Sequence, residues 1–220
     1  MTSTTRIPLF PLGTSLVPGA LMPLHIFEPR YRRLVTDLQR LNPEDQAFGV
    51  VAIRRGREVG TGSATALYDI GCLAALRDIQ PYPDGRFDIA TVGTRRFTVK
   101  QLHESRAPYL QADVEFLDDD TGQIDQAVLN AVSRRFAQYR QVVRTEDGDS
   151  PIPGDPSALS WAVASAMVLD LDEKQRLLAC ATAAERLSQE RDLLVRETAL
   201  LEELPSLPVF DARQFTISRN

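Results

Sequence analysis

The chain changes its dominant hydrophobic period at residues 117 to 123, and that switch limits the folds open to it. Before "LDDDTGQ" the apolar residues come in short runs broken by prolines, glycines and charged turns; after it they recur at helical spacing. Side chains alternate between faces in a strand but return to one face about every 3.6 residues in a helix, so the two halves cannot form one repeating layer. The expectation is an α+β chain, strands first and helices second.

In the first half, "IPLFPL" and "LMPLHIF" are apolar runs punctuated by Pro8, Pro11 and Pro23. Proline cannot donate to a ladder, so these strands are expected at sheet edges or beginning at their prolines. "AFGVVAIRR" reads as a buried strand ending in the charged turn "RRGRE". "ATALYDIGCLAALRDIQ" is long for one strand, and Gly71 is expected to mark a bulge or bend in it. "PDG" at 83–85 is a turn signal. "RFDIATV", Gly93-Thr94 and "RRFTVKQL" follow, and in "ADVEFL" Val114 and Phe116 alternate with Asp113 and Glu115. At least six short strands with one early helix suggest a closed or nearly closed small barrel.

That early helix begins at an elbow. Glu28 precedes Pro29, proline is favoured at the first helical position, and an acid there meets the positive end of the helix dipole. Tyr31, Leu34, Val35 and Leu38 recur at helical spacing, and Arg33 can pair with Asp37. His25, Glu28, Pro29, Arg30 and Tyr31 lie within seven residues, which raises a reactive site as a rival. The helix-start signals favour a structural motif.

In the second half, Ile124, Val128, Val132, Phe136, Tyr139 and Val143 form one apolar stripe. "TEDGDSPIPGDPS", 145–157, is a polar loop, and Asp155 and Pro156 supply an N-cap and first helical position for "SALSWAVASAMVLD". That helix is apolar nearly all round and belongs at the centre of a bundle. Asp172 is expected to cap "EKQRLLACA". The last helix, about 182–203, carries Leu187, Leu194 and Leu201 beside Leu193 and Leu200, a broad face for packing within the chain. The expected division is a β domain at 6–117, an α-helical bundle at 121–203 and an extended tail at 204–220.

Composition narrows the function classes. Net charge is −5 and the pI about 5.2, against a nucleic-acid binder's basic balance. Of 25 basic residues only Lys100 and Lys174 are lysine; the arginine excess fits base composition of the genome better than anion recognition. Cys72 and Cys180 form no framework, which suits a reducing compartment. There is no signal-peptide pattern, and "ALSWAVASAMVLDL" is too short to span a bilayer, so a cytoplasmic protein without a membrane partner is expected.

Motifs for chemistry are missing. His25 and His103 are the only histidines and neither has a second ligand at motif spacing, so no metal is expected. There is no phosphate loop, and "GTGSAT" at 60–65 reads as a turn. There is no G-x-S-x-G. Asp118, Asp119 and Asp120 read as a solvated linker rather than a cation site, and the arginines of "AIRRGRE" and "TRRF" as exposed strand ends.

"LFPLGTSLVPGALMPLHIFEPRYRRLV", then "FGVV", "GTGSATALYDI", "PDGRFDIATVGTRRFTV" and "PYLQADVEFL" together resemble the N-terminal, substrate-binding domain of Lon proteases, and more narrowly the short standalone bacterial proteins built on it. The resemblance is strong over 6–117 and extends through the helices to about 203. It implies a PUA-like six-stranded β pseudo-barrel with one early helix, followed by a C-terminal α-helical bundle. It also implies recognition of exposed, unfolded or degron-bearing polypeptide. No counterpart of the Lon ATPase or Ser-Lys peptidase modules is present, so proteolysis is not carried over.

The function expected is a non-enzymatic, ATP-independent polypeptide-binding module, an adaptor or chaperone-like protein working with a protease or chaperone, as a monomer or weak homodimer and without a cofactor. An RNA-binding barrel and an uncharacterised hydrolase are the alternatives. Leu16, Val17, Leu21 and Met22 are the candidate contacts, because "TSLVPGALMP" is the most apolar loop and an adaptable Met suits promiscuous binding.

Overall fold

The computed structural model of the chain describes residues 4–56, 64–103, 107–143 and 151–203. Most of the expected turns between 57 and 65, much of the 145–157 loop and the 204–220 tail lie outside them. Among the described residues there are seven strands: β1 (Thr5–Leu12), β2 (Leu21–Ile26), β3 (Ala47–Gly56), β4 (Ala64–Leu67), β5 (Ile70–Pro81), β6 (Phe87–His103) and β7 (Gln111–Phe116). Five α-helices accompany them: α1 (Pro29–Leu38), α2 (Gln126–Val143), α3 (Pro156–Ala166), α4 (Leu171–Ala179) and α5 (Ala183–Glu203). The chain splits into two compact units, one of residues up to Asp118 with Asp170–Ala179, the other of Asp119–Leu169 with the residues from Cys180 onward.

In the first unit the ladder runs β1–β7–β6–β5–β3, and β1 also pairs with β3, so it returns to its start. Residues 5–8 of β1 pair with β7 and residues 9–12 with β3. Each half of β1 therefore has one laddered side, which accommodates Pro8 and Pro11 in a strand that is not an edge. β4 hangs on β3 and β2 on β6, so the sheet is not a clean barrel and its strand count is seven, not the expected six. Two segments also divide differently from the expectation, one gaining a strand and the other losing one. The run from Ala64 breaks at Tyr68-Asp69 rather than at Gly71, while the two runs flanking Gly93 are one continuous β6. Gly71 instead serves close packing, since a Cβ there would come within 2.5 Å of the Phe97 ring and the Val50 carbonyl.

Two apolar clusters fill this unit. Tyr31, Leu34, Val35 and Leu38 of α1 join Phe10, Ile26, Phe48 and Val50, with Tyr31 stacked on Phe10 at 3.8 Å between ring centroids. Ile7, Leu9, Val51, Phe97, Ala112 and Val114 form the other. α4, expected in the helical bundle, groups with the sheet, and polar contacts explain why. The buried Arg96 guanidinium donates to the carbonyls of Leu178 and Asp118, each at 2.9 Å. It thereby satisfies a carbonyl that the end of α4 leaves without a helical partner. Gln175 donates to the Ser15 hydroxyl at 2.8 Å, and the Tyr68 hydroxyl donates to Asp172. Asp172 is thus not the cap expected of it; Asp170 accepts the Glu173 amide at 2.7 Å.

The second unit contains α2, α3 and α5. Val132, Phe136 and Tyr139 of the expected stripe are buried, as are Leu187 and Leu194, whereas Leu200 is exposed. Asp155 caps α3 by accepting from the Ala158 amide at 2.8 Å. Its polar core was not foreseen. Arg186, fully buried, lies over the Trp161 ring and donates to the Ser160 hydroxyl at 2.8 Å. Asp119 accepts the Trp161 indole N–H at 2.8 Å and pairs with Arg186 at 3.4 Å. Asp120 accepts the Gly122 amide. The acidic run is exposed, as a solvated linker is expected to be, and Asp119 and Asp120 also accept bonds that organise the start of this unit.

Candidate functional site

The candidate contacts separate sharply. Leu16 and Val17 are 2% and 4% exposed and belong to the core, because the loop folds back onto β6. Gly19 and Gly93 exchange backbone bonds with this turn, N–H of Gly19 to Gly93 O at 2.8 Å and N–H of Gly93 to Ala20 O at 2.9 Å. Met22 opens β2 with Leu21 but packs its side chain inward. Leu21 is 75% exposed. The apolar face of β2 is thus split by strand alternation, with Met22, Leu24 and Ile26 inward and Leu21, Pro23 and His25 on the other face.

β2 runs directly into the elbow. Glu28 is extended (φ −67°, ψ 136°) and makes no side-chain cap bond, so the helix starts on Pro29, the expected first position, with Glu28 as its N-cap residue. The Glu28 carboxylate pairs with Arg30 at 3.1 Å instead, and Arg30 lies 4.5 Å above the Tyr31 ring. Arg33 pairs with Asp37 at 2.9 Å, as the spacing predicted. A groove of about 440 Å³ lies beside α1, lined by Pro29, Arg32, Arg33, Thr36, Gly85 and Phe87. Arg32 there donates to the Asp84 carbonyl at 3.0 Å.

His25 is held by the far end of the β5–β6 hairpin. Its Nδ1 lies 2.5 Å from Asp88, whose other oxygen accepts the Tyr82 hydroxyl, and Arg86 reaches Nε2 at 3.3 Å. Bonds from Tyr82 and His25 hold the Asp88 carboxyl below its ordinary value. An Asp–His pair suggests general-base chemistry, but the group facing Nε2 is a guanidinium, a donor and not a nucleophile. A second cluster joins Arg6, Asp113 and His103 across β1, β7 and β6; its bonds pull the Asp113 carboxyl down to about 2. Both clusters fasten strands. Burial pushes the Cys72 thiol up to about 12, which makes it a poor nucleophile.

Among the described residues no group of three His, Cys, Asp or Glu could hold a metal. No described helix is long and apolar enough to cross a membrane. Of the arginines considered for a nucleic-acid groove, Arg54 lies over Tyr68, Arg95 lies over Phe116 and Arg96 is buried, while Arg57 lies outside the described residues.

The family model of the ATP-dependent protease La (LON) substrate-binding domain matches residues 6–196. The chain belongs to that family. Lon protease 2 of Myxococcus xanthus is 27% identical over 208 residues, covering 89% of this chain and 24% of that protein. Lon protease of Anaeromyxobacter dehalogenans is 25% identical over 205 residues, covering 89% of this chain and 24% of that protein. The chain thus spans about a quarter of these Lon relatives. In structure it resembles the Lon N-terminal domain protein from Xanthomonas campestris, with TM-score 0.61, 24% identity, and 84% and 96% of the two chains covered. The N-terminal domain of Mycobacterium avium complex Lon protease gives TM-score 0.62 at 16% identity, over 89% and 98%. The Lon N-terminal fold, a mixed sheet with five helices, is the fold of this chain.

Within that Lon fold, Tyr82, Arg86 and Asp88 escaped the sequence reading although they surround His25. The only local signal was the turn "PDG" between two strands; what it positions, 63 residues from His25, follows from pairing alone.

Proposed function

We propose that this chain is a non-enzymatic module that binds exposed apolar segments of unfolded or degron-bearing polypeptides, as an adaptor or chaperone-like protein. The observation that carries the reading is Leu21, 75% exposed on a strand whose outward face continues through Pro23 to Phe27, itself 48% exposed. Apolar side chains held open to water favour partners that share apolar surface, which is what unfolded chains have in common. The family's description as a substrate-binding domain agrees with this reading.

The test is binding of a reduced, carboxymethylated protein, permanently unfolded, followed by fluorescence anisotropy. Leu21→Ser should weaken binding several-fold yet change stability by no more than about 0.5 kcal/mol, as for an exposed site. Leu16→Ala should instead cost about 2–5 kcal/mol, because Leu16 is core. Unfolded protein that fails to bind, or binds Leu21→Ser equally well, would end the proposal.

A further inference from the structure

The sheet consumes most of its own edges. Five strands return on themselves through the β1–β3 pairing, and β2 is added to β6 outside that circuit. Among the described residues β2 pairs with no other strand. Its register runs from Leu21 opposite Val92 to Ile26 opposite Phe87, and the bond from the Gly93 amide to Ala20 O sets its phase. Antiparallel pairs alternate between bonded and non-bonded. Met22, Leu24 and Ile26 therefore bond β6, and Leu21, Pro23 and His25 turn their backbone groups away from it. Pro23 fits this independently, since it has no N–H to give β6.

The outward edge thus offers the N–H groups of Leu21 and His25 and the C=O groups of Leu21, Pro23 and His25. Like groups repeat about every 6.8 Å, two residues along the strand. Natural edges are usually blunted by charged side chains, bulges or a covering element. β2, "LMPLHI", carries no Lys, Arg, Asp or Glu, and only Pro23 interrupts its edge. Alternating donors and acceptors at that spacing are complemented by one common chemistry, an extended polypeptide backbone.

We propose that the open edge of β2 takes an extended apolar segment of an unfolded polypeptide as an added strand. This rests on the polypeptide-binding reading and names its mode. Main-chain bonding is blind to sequence, whereas Leu21 and Phe27 favour apolar residues at alternating positions of the guest. A second copy is a poor guest: antiparallel self-pairing centred on Pro23 sets two prolines opposite each other, where neither donates.

The experiment uses the full chain and a soluble peptide with a central apolar strand of about six residues. Two further forms carry N-methyl groups on alternate residues, in the two opposite phases. One phase should lower affinity about tenfold through lost backbone bonds, and the other should bind much like the parent. Hydrogen exchange at the Leu21 and His25 amides should slow when the parent peptide binds. If all three forms bind alike, strand addition is overturned and the polypeptide reading stands. If none binds, that reading fails and this proposal with it. Protection of those amides that grows with protein concentration alone would place a second copy on the edge and overturn the guest assigned here.

Discussion

Glu190 should make the second unit less stable as pH rises through the weakly acidic range. Its side chain is fully buried on α5, and neither carboxyl oxygen has a hydrogen-bond partner among the described groups. Arg186, one turn earlier, is engaged with Ser160, Trp161 and Asp119. Burial pushes the Glu190 carboxyl well above its ordinary value; the Arg186 charge pulls it down and does not prevail. The folded chain therefore holds this proton more tightly than the unfolded chain does. Stability is greatest below the unfolded value, near pH 4.3, and falls by about 1.4 kcal/mol per pH unit until the folded value is passed. Glu190→Gln removes the titration and should remove that slope. Glu190→Met also removes the orphaned acceptors and should gain about 1–3 kcal/mol at neutral pH. Urea unfolding followed by the fluorescence of Trp161, the single tryptophan and a member of this unit, reads the effect directly. Parallel stability curves for the parent and Glu190→Gln between about pH 5 and 8 would refute the reasoning.

Two substitutions test the first unit. Gly93→Ala would set a Cβ 2.1 Å from the Val17 carbonyl oxygen, backbone against backbone, and should cost about 1–3 kcal/mol in thermal or urea unfolding. Arg96→Ala strands the carbonyls of Leu178 and Asp118 and should cost about 2–4 kcal/mol, with Arg96→Lys recovering little because an ammonium lacks the planar fork.

Features carried by neighbouring residues were legible in the sequence. The α1 stripe, the Arg33–Asp37 pair, the Asp155 cap and the "PDG" turn each depend on residues a few positions apart. Features set by distant partners were not. Gly93-Thr94 separates two strand-like runs in the sequence, yet β5 on one side and β2 and β7 on the other hold β6 continuous. "TSLVPGALMP" reads as an apolar loop whether it is open or tucked, and the outcome depends on a side-chain-free position at Gly93 that accepts Val17. Arg96 and Arg186 look like surface residues because charged side chains are rarely buried without partners. Their partners are two carbonyls on other elements for Arg96, and a ring and a carboxylate for Arg186. Of the four candidate contacts, the two that alternation could not assign to a face, Leu16 and Val17, are the two that are core.

On the proposed reading, β2 meets two demands that oppose each other. A surface that accepts unfolded chains needs apolar side chains and unpaired backbone at one place, and the same combination invites a protein to pair with itself. The inward residues Met22, Leu24 and Ile26 and the His25–Asp88 bond fix β2 to the sheet, so the edge stays formed without a guest. Pro23 then sits at the centre of the open side. It spoils the symmetric pairing of two copies, where it would be met twice, more than the pairing with a guest, where it is met once. A guest loses one bond of the ladder; a second copy aligned on Pro23 loses two at its centre. The residue that the sequence marks as a sheet-edge proline is therefore also the one that separates client from self.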